Sequence, residues 1–173
     1  MQLTKGEIMK IKYLRLTLIL FLVFTLSCNQ SNEPKEVDEV RIVFGKSIDD
    51  IEIGDNVEKV ISILSQPDEE ILGDFVGYMY FYKTGKYCGI TITFNDNDEV
   101  RTIQVDKTYT GFSKEGIGIN SKRENVLMLF GNPNQVISKE DIYQMDEYLF
   151  GENILLISYT ESKLTALVLY KPM

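Results

Sequence analysis

The chain has 173 residues, with 26 Asp and Glu against 18 Lys and Arg, a net charge of −8, two cysteines and no histidine. The missing histidine excludes the Ser-His and Cys-His nucleophile arrangements and removes the commonest transition-metal ligand. The acidic balance would repel a phosphate backbone, which argues against nucleic-acid binding.

The first 27 residues are typical of a secretory signal. Basic residues at 10–15 precede an apolar run at 16–26, which has about half of the ~20 residues that a membrane-spanning helix needs. The stretch "TLSC" after it resembles the lipobox of bacterial lipoproteins, in which the cysteine is lipidated and becomes the mature N-terminus. The resemblance implies lipidation of Cys28, with either Met1 or Met9 as the start. A plain secretory signal that has Cys28 only nearby is the alternative.

Residues 28–40 are polar and acidic and predict a flexible tether between the lipid and a folded body. Cleavage before Cys28 leaves 14 basic and 25 acidic residues, a net charge of −11, so the lipid would be the membrane contact. Asn29 after the cysteine favours the periplasmic side of the outer membrane if the cell has one. Cys88 then has no disulfide partner, and its place before an apolar strand favours a buried, inert thiol over a reactive one.

Two segments 66 residues apart share one helical pattern: "IGDNVEKVISILSQPD" at 53–68 and "INSKRENVLMLFGNPN" at 119–134. The i, i+3, i+4, i+7 stripe predicts a short amphipathic helix in each segment. The stripe positions are Val57, Val60, Ile61 and Leu64 in the first segment and Arg123, Val126, Leu127 and Phe130 in the second.

The ends of both helices have recognisable signals. Ser121 followed by Glu124 is typical of a capping box, and Asp55 and Glu58 occupy the equivalent places. A proline closes each helix, with Gly131 in one copy and Ser65 in the other at the expected left-handed cap position. Helices this short need a sheet to cover.

Each predicted helix is followed by three segments with β patterning, at 78–82, 89–94 and 100–105 and then at 146–150, 154–159 and 164–171. The predicted fold class is therefore α+β, with two tandem repeats at 41–106 and 107–173 in one compact domain. Each repeat is a short helix followed by a three-stranded antiparallel meander, with the helices packed on one sheet face. The run "VRIVF" at 40–44 is expected to add an edge strand.

The pattern "GIGINSKRENVLMLFGNP" followed by a meander, present twice, resembles the tandem repeats of the β-lactamase inhibitor proteins. It is also similar to the SmpA/OmlA-type lipoproteins of outer-membrane assembly, which have one copy. The resemblance covers residues 48–171 and implies a fold more than a function. The first copy departs from it by having Ser65 for the glycine, and the second has Asn120 where Gly54 stands.

A row of tyrosines is the candidate partner-binding site. Tyr78, Tyr80 and Tyr82 lie on one face of a strand, with Met79 and Phe81 on the other. If the helices cover the Met79 and Phe81 face, the tyrosines stand on the open face, where tyrosine suits partner binding. In the inhibitor family that the fold resembles, the open face carries the partner-binding aromatics. The opposite arrangement, with the tyrosines in the core, fits the alternation equally well.

Candidates for catalysis or metal binding are weak, and we expect no enzyme, cofactor or metal site. The adjacent carboxylates at 49–50, 69–70 and 140–141 are typical of solvated loops. The run "NDNDE" at 95–99 lacks the glycine and the final glutamate of an EF-hand, and its place between two strand patterns predicts a hairpin loop.

The function expected is that of a membrane-anchored envelope lipoprotein acting as a non-catalytic protein-binding module in envelope assembly or maintenance. Its partner would be an envelope or secreted protein. An inhibitor or immunity protein that binds one specific enzyme is the main alternative, because the negative charge would steer it to a basic target. A small-ligand or hydrolytic protein would need a closed pocket with converging polar groups.

Overall fold

The computed structural model describes residues 40–73, 77–140 and 142–172. The predictions for the signal, for Cys28 and for the tether as far as residue 39 lie outside these residues. The described residues belong to one compact unit, Asp38–Met173.

Twelve strands and two α-helices make up the described fold, and the strands form two sheets. The elements in chain order are β1 Val40–Val43, β2 Ser47–Ile48, β3 Ile51–Glu52, α1 Val57–Leu64, β4 Glu69–Gly73, β5 Gly77–Tyr82, β6 Ile90–Phe94, β7 Val100–Val105, β8 Phe112–Ser113, α2 Arg123–Phe130, β9 Gln135–Lys139, β10 Tyr143–Phe150, β11 Asn153–Thr160 and β12 Lys163–Tyr170. The large sheet has eight antiparallel strands in the order β4-β5-β6-β7-β12-β11-β10-β9, and the small sheet has the order β3-β2-β1-β8.

The predicted fold class was wrong, because the described chain is mostly β and is not two helix-plus-three-strand repeats. Each helix is followed by four antiparallel strands rather than three. The additional strands are the outer strands β4 and β9, which the sequence analysis did not predict. A second sheet of short strands was missed as well. The predicted edge strand at 40–44 is β1 in this small sheet, where it pairs with β2 and β8 rather than with the large sheet.

Both helices lie where the stripe predicts them, but their N-terminal caps differ from the prediction. The cap of α1 is Asn56, whose side chain accepts a hydrogen bond from Lys59 N (2.9 Å). The cap of α2 is Lys122, which makes no side-chain cap bond. Ser121 Oγ instead accepts from Gly118 N, so the predicted capping box is absent. At the C-terminal ends, Ser65 and Gly131 have the expected positive φ, 70° and 75°.

The hydrophobic core lies between the helices and one face of the large sheet. Tyrosine hydroxyls of this face reach the helix ends: Tyr82 donates to Ser65 O (3.2 Å) and Tyr148 to Gly131 O (3.4 Å). Since both bonds come from the same sheet face, both helices cover that face. The core combines aliphatic side chains of the helices, the large sheet and the small sheet, including Val60, Leu64, Val126, Ile92, Ile103, Ile157, Leu167, Ile42, Ile48 and Ile51.

The two halves of the large sheet meet at an antiparallel contact between β7 and β12, which we call the seam. Gln104 pairs with Val168, and the pairs on either side are Ile103 with Leu169 and Val105 with Leu167. Outward from the seam, the strands run β7-β6-β5-β4 in one half and β12-β11-β10-β9 in the other, so a local twofold relates the halves.

Among the described residues, no helix is long and apolar enough to span a membrane.

Candidate functional site

The tyrosine row lies on the core face of β5, which is the second of the two arrangements that the sequence allows. Tyr80 and Tyr82 are 7% and 4% exposed, and Tyr78 is half-buried. Tyr78 stacks on Phe94 at 4.7 Å between ring centres, and Tyr80 meets the same ring edge-on at 4.9 Å. Burial raises the pKa of both buried phenols. Tyr80 and Tyr82 therefore pack in the core, and the opposite face of β5 is the one that solvent reaches.

The opposite face of the large sheet, which we call the open face, carries half-exposed apolar side chains from both halves. Alternation along each strand assigns them, because their neighbours in sequence point into the core. None of them belongs to the buried core cluster or to the residues packed against it. The apolar members are Met79 and Phe81 on β5, Met145 and Leu149 on β10, Ile154 and Leu156 on β11, and Val168 and Tyr170 on β12.

A shallow depression of about 520 Å³ lies on the open face beside the seam. Met79 and Tyr170 supply its apolar walls from the two halves, and Thr93 and Thr102 supply hydroxyls from β6 and β7. Arg101, Lys171 and Pro172 complete the lining. The lining of the depression therefore combines apolar side chains with a few polar groups, as the centre and rim of a protein interface do.

A buried polar network holds the small sheet in place. Arg41 Nε and Nη2 donate to the two oxygens of Asp49 at 2.5 and 3.0 Å, and Nη2 also donates to Lys86 O at 2.8 Å. The Tyr109 hydroxyl donates to Asp49 Oδ2 (2.7 Å), and the guanidinium lies 4.8 Å from the centre of the Tyr109 ring. Arg41, Asp49 and Tyr109 are at most 9% exposed. The three side chains are buried and joined to one another by hydrogen bonds, which suits a structural role.

The carboxylate pairs considered from the sequence do not converge in the described part of the chain. Asp49 is buried in its ion pair, whereas Asp50 is exposed. Glu69 forms an ion pair with Lys83, the residue after β5, and Glu70 lies on the other side of β4. Among the described residues, no group of three His, Cys, Asp or Glu side chains is placed to hold a metal ion.

The run at 95–99 forms the hairpin loop between β6 and β7, as predicted. Asn95 N donates to Glu99 O (2.9 Å), and Asn95 Oδ1 accepts from the backbone N of Asn97 and of Glu99. The asparagine oxygen therefore serves the turn itself.

Cys88 is half-buried rather than fully buried. Its thiol donates to Lys83 O at 3.1 Å and lies 3.6 Å from the Thr108 hydroxyl. Both contacts belong to the connections at one end of β5 and β6.

Solved structures with the same fold come from bacterial proteins of low sequence identity. No family model matches the sequence, and no curated protein matches it. The chain is similar to an extracellular protein containing an SCP domain from Bacillus anthracis, with a TM-score of 0.58, 12% identity and coverage of 79% of this chain and 49% of that one. It is similar to a DUF4309 family protein (YjgB) from Bacillus subtilis, with a TM-score of 0.54, 15% identity and coverage of 74% and 88%.

A third similar structure is a cysteine-rich secretory protein (SAV1118) from Staphylococcus aureus, with a TM-score of 0.52, 10% identity and coverage of 69% of this chain and 43% of that one. The chain thus spans about half the length of the first and third proteins and most of the second. The similarity extends to the fold. The predicted resemblance to β-lactamase inhibitor proteins and SmpA/OmlA-type lipoproteins has no counterpart among these three structures.

Proposed function

We propose that the chain is an exported, lipid-anchored protein of the cell envelope that binds another protein, without catalysis, through the open face of its large sheet. The observation that carries the proposal is the set of half-exposed apolar side chains on that face, contributed by both halves around a depression of about 520 Å³.

The energetic argument concerns apolar surface left in water. Moving a whole Phe or Met side chain from water to the interior is worth roughly 1.5–3 kcal/mol, and side chains that are already partly buried, such as Phe81 and Met79, gain a part of that on binding. The open face leaves about eight such side chains half-exposed on adjacent strands. A contiguous apolar surface with threonines and a few charges around it is the composition of a protein interface.

The envelope location rests on the leader and on the nature of the similar proteins. Residues 10–28 have the basic, apolar and cysteine segments of a lipoprotein signal. Two of the similar proteins are an extracellular and a secretory protein by their descriptions. We extend that location to this chain, with Cys28 as the lipidated residue and the periplasmic side of an outer membrane as the site where the cell has one.

Lipidation is tested by Cys28→Ala in the full chain. The variant should move from the membrane fraction to the soluble fraction, because no acyl chain can then be attached. Retention of the variant in the membrane fraction would contradict the anchor.

The binding face is tested by photo-cross-linking in the producing cell, with a photoreactive phenylalanine derivative at position 81 or at position 128. Phe81 lies on the open face, whereas Met128 is 79% exposed on α2, away from that face. We expect a specific protein adduct from position 81 and none from position 128. Adducts of the same protein from both positions, or from neither, would overturn the proposal.

The partner identified in this way allows a second measurement. The double variant Phe81→Ser/Tyr170→Ser should weaken its binding at least about tenfold, a loss of 1.4 kcal/mol or more. The matched control Met128→Ser should bind as the parent does, and both variants should unfold cooperatively and be fully folded at the temperature of the binding assay.

A further inference from the structure

A cavity of about 290 Å³ opens beside the N-terminus of α2, on the opposite side of the sheet from the open face. We call it the α2 cavity. Its lining includes Arg123, Gln144, Tyr159, Lys139, Glu140 and Glu161. The volume is just below the ~300–1,000 Å³ range of small-molecule sites, which suits a ligand smaller than a typical drug.

A fully buried carboxylate orients the arginine of this cavity. Asp146 is 0% exposed, and it accepts from Arg123 Nε (2.7 Å), from Arg123 Nη2 (3.3 Å) and from Gln144 Nε2 (2.6 Å). The Arg123 side chain is 23% exposed and has no other hydrogen-bond acceptor in the described residues. Asp146 binds the edge of the guanidinium formed by Nε and Nη2. The two N–H groups of Nη1 are not used by Asp146, and they can donate to a ligand carboxylate.

The same place in the first half is packed with aromatic rings instead. A shift of 66 residues aligns Val57 with Arg123, Tyr78 with Gln144 and Tyr80 with Asp146. Strand pairing completes the match, since Phe94 and Tyr159 both lie at the register shift of their strands. Where the second half has a polar cluster, the first half therefore has Tyr78, Tyr80 and Phe94 in mutual contact at 4.7–5.4 Å between ring centres.

The first half shows that a backbone of the same form can be packed with aromatic side chains at this place. A buried ion pair is often no more stabilising than hydrophobic residues of similar volume, since both charges lose their hydration. The first half shows that rings fill the position, so core stability does not explain the charges of the second half. A role outside the core, in binding, explains them.

A second observation independently points to a ligand. The Tyr159 hydroxyl is buried and has no hydrogen-bond partner within the described ranges, although the residue lines the α2 cavity and is 1% exposed. Buried polar atoms are almost always paired, because an unpaired buried hydroxyl loses its hydration without gaining a hydrogen bond in return. The Arg123 guanidinium lies 5.9 Å from the centre of the same ring, so the hydroxyl belongs to the same cluster.

The rim of the cavity carries charges of both signs. Lys139 is exposed and has no ion-pair partner among the residues described, and Glu140 and Glu161 are exposed beside it. Because Asp146 already balances Arg123, the described part of the rim adds one positive and two negative side chains; Asp141, between Glu140 and Ile142, lies outside the described residues. Such a rim does not select a simple anion.

We propose that the α2 cavity binds a small zwitterion of the size of an amino acid or dipeptide. Its carboxylate would meet Arg123 and Lys139, and its ammonium group would meet Glu140 and Glu161. Asp146 acts as a positioning residue, because it contacts the arginine and not the ligand. The site is separate from the open face, so the two proposals stand or fall independently.

The test is titration of the full protein with glycylglycine, followed by isothermal calorimetry or by NMR shifts. Acetate and methylammonium serve as probes that carry only one of the two charges. We expect saturable binding of glycylglycine, at least about tenfold tighter than that of either single-charge probe. No saturation at about 20 mM, well above a millimolar Kd, would overturn the proposal. Equal binding of acetate and glycylglycine would overturn the assignment of a zwitterion.

Two variants locate the site. Lys139→Gln should weaken glycylglycine binding severalfold, whereas Lys107→Gln, an exposed lysine far along the chain on another loop, should leave it unchanged. Arg123→Val/Asp146→Tyr introduces the first-half residues at these two positions and removes the ion pair, and we expect the protein to remain folded. Binding should be lost in this double variant with cooperative unfolding retained. Undiminished binding in it, or equal weakening by the two lysine variants, would refute the α2 cavity as the site.

Discussion

Replacing Arg41 by methionine tests whether the buried network is what fixes the small sheet. Methionine keeps most of the side-chain length but removes the donors of three hydrogen bonds, two to Asp49 and one to Lys86 O. Asp49 would then be a buried carboxylate whose remaining partner is the Tyr109 hydroxyl. Removing one member of a buried ion pair costs about 3–5 kcal/mol, because the other charge is left uncompensated.

The measurement is urea unfolding followed by circular dichroism, with the midpoint and slope fitted together. A loss of this size should lower the melting temperature by about 10 °C or more for a domain of this length. Arg41→Met/Asp49→Asn removes both charges and keeps a residue that tolerates the positive φ of 49° at that position. It should recover part of the loss. A cost below about 1 kcal/mol for Arg41→Met would refute the reasoning, since it would mean that Asp49 remains hydrated.

Three further predictions concern packing, backbone and pH. Tyr82→Ala should cost about 3–5 kcal/mol in urea unfolding, because a buried ring is lost, whereas Phe81→Ala on the open face should cost less than about 1 kcal/mol; equal costs would mean that the faces are misassigned. Gly77→Ala should destabilise the protein by clearly more than Gly151→Ala, although both glycines have positive φ. A β-carbon at Gly77 would lie 2.3 Å from a backbone oxygen of the neighbouring strand, while the space at Gly151 is empty. Burial raises the pKa of Tyr148 to about 12 from its ordinary value of 10, so its contribution to stability is complete below pH 10 and is lost as the pH rises through 12. Tyr148→Phe should flatten the loss of melting temperature in that range, and an unchanged slope would count against a buried phenol.

Local signals in the sequence were sufficient for the central elements of the fold. The apolar stripe gives both helices, and alternation gives the six strands nearest the seam. The outer strands were missed because their sequences carry little alternation. Their residues are largely exposed, as in "EEILG" and "QVISK", so no buried face repeats every second residue. The two-residue strands of the small sheet are too short for any periodic signal.

Which face of β5 is buried was not decidable from the sequence, because both faces are apolar. Tyr80 and Tyr82 alternate with Met79 and Phe81, and only contacts with distant elements select one set. Tyr82 donates a hydrogen bond to the backbone oxygen of Ser65, the C-terminal cap of α1, and that tertiary contact fixes the orientation of the strand.

The polar cluster of the α2 cavity had a signal in the sequence that was not used. Arg123 interrupts the apolar stripe of its helix, at the position that Val57 occupies in the other copy. Asp146 likewise stands where the first copy has Tyr80. Two apolar-to-charged differences of opposite sign, in segments that otherwise align, predict a buried pair. The orientation of Arg123 and the unpaired Tyr159 hydroxyl required the structure.

The seam between β7 and β12 has a consequence for how such a chain can change. Equivalent strands pair there about a local twofold, with Gln104 opposite Val168, and this is the isologous contact that two identical half-chains would make as a homodimer. In a homodimer every substitution appears twice, so a charge introduced into one core would be introduced into both. Joining the halves in one polypeptide removes that constraint. One half can keep its aromatic packing while the other has charges and a cavity in place of the rings, and the symmetry then remains in the backbone and in the shared helix pattern at 53–68 and 119–134.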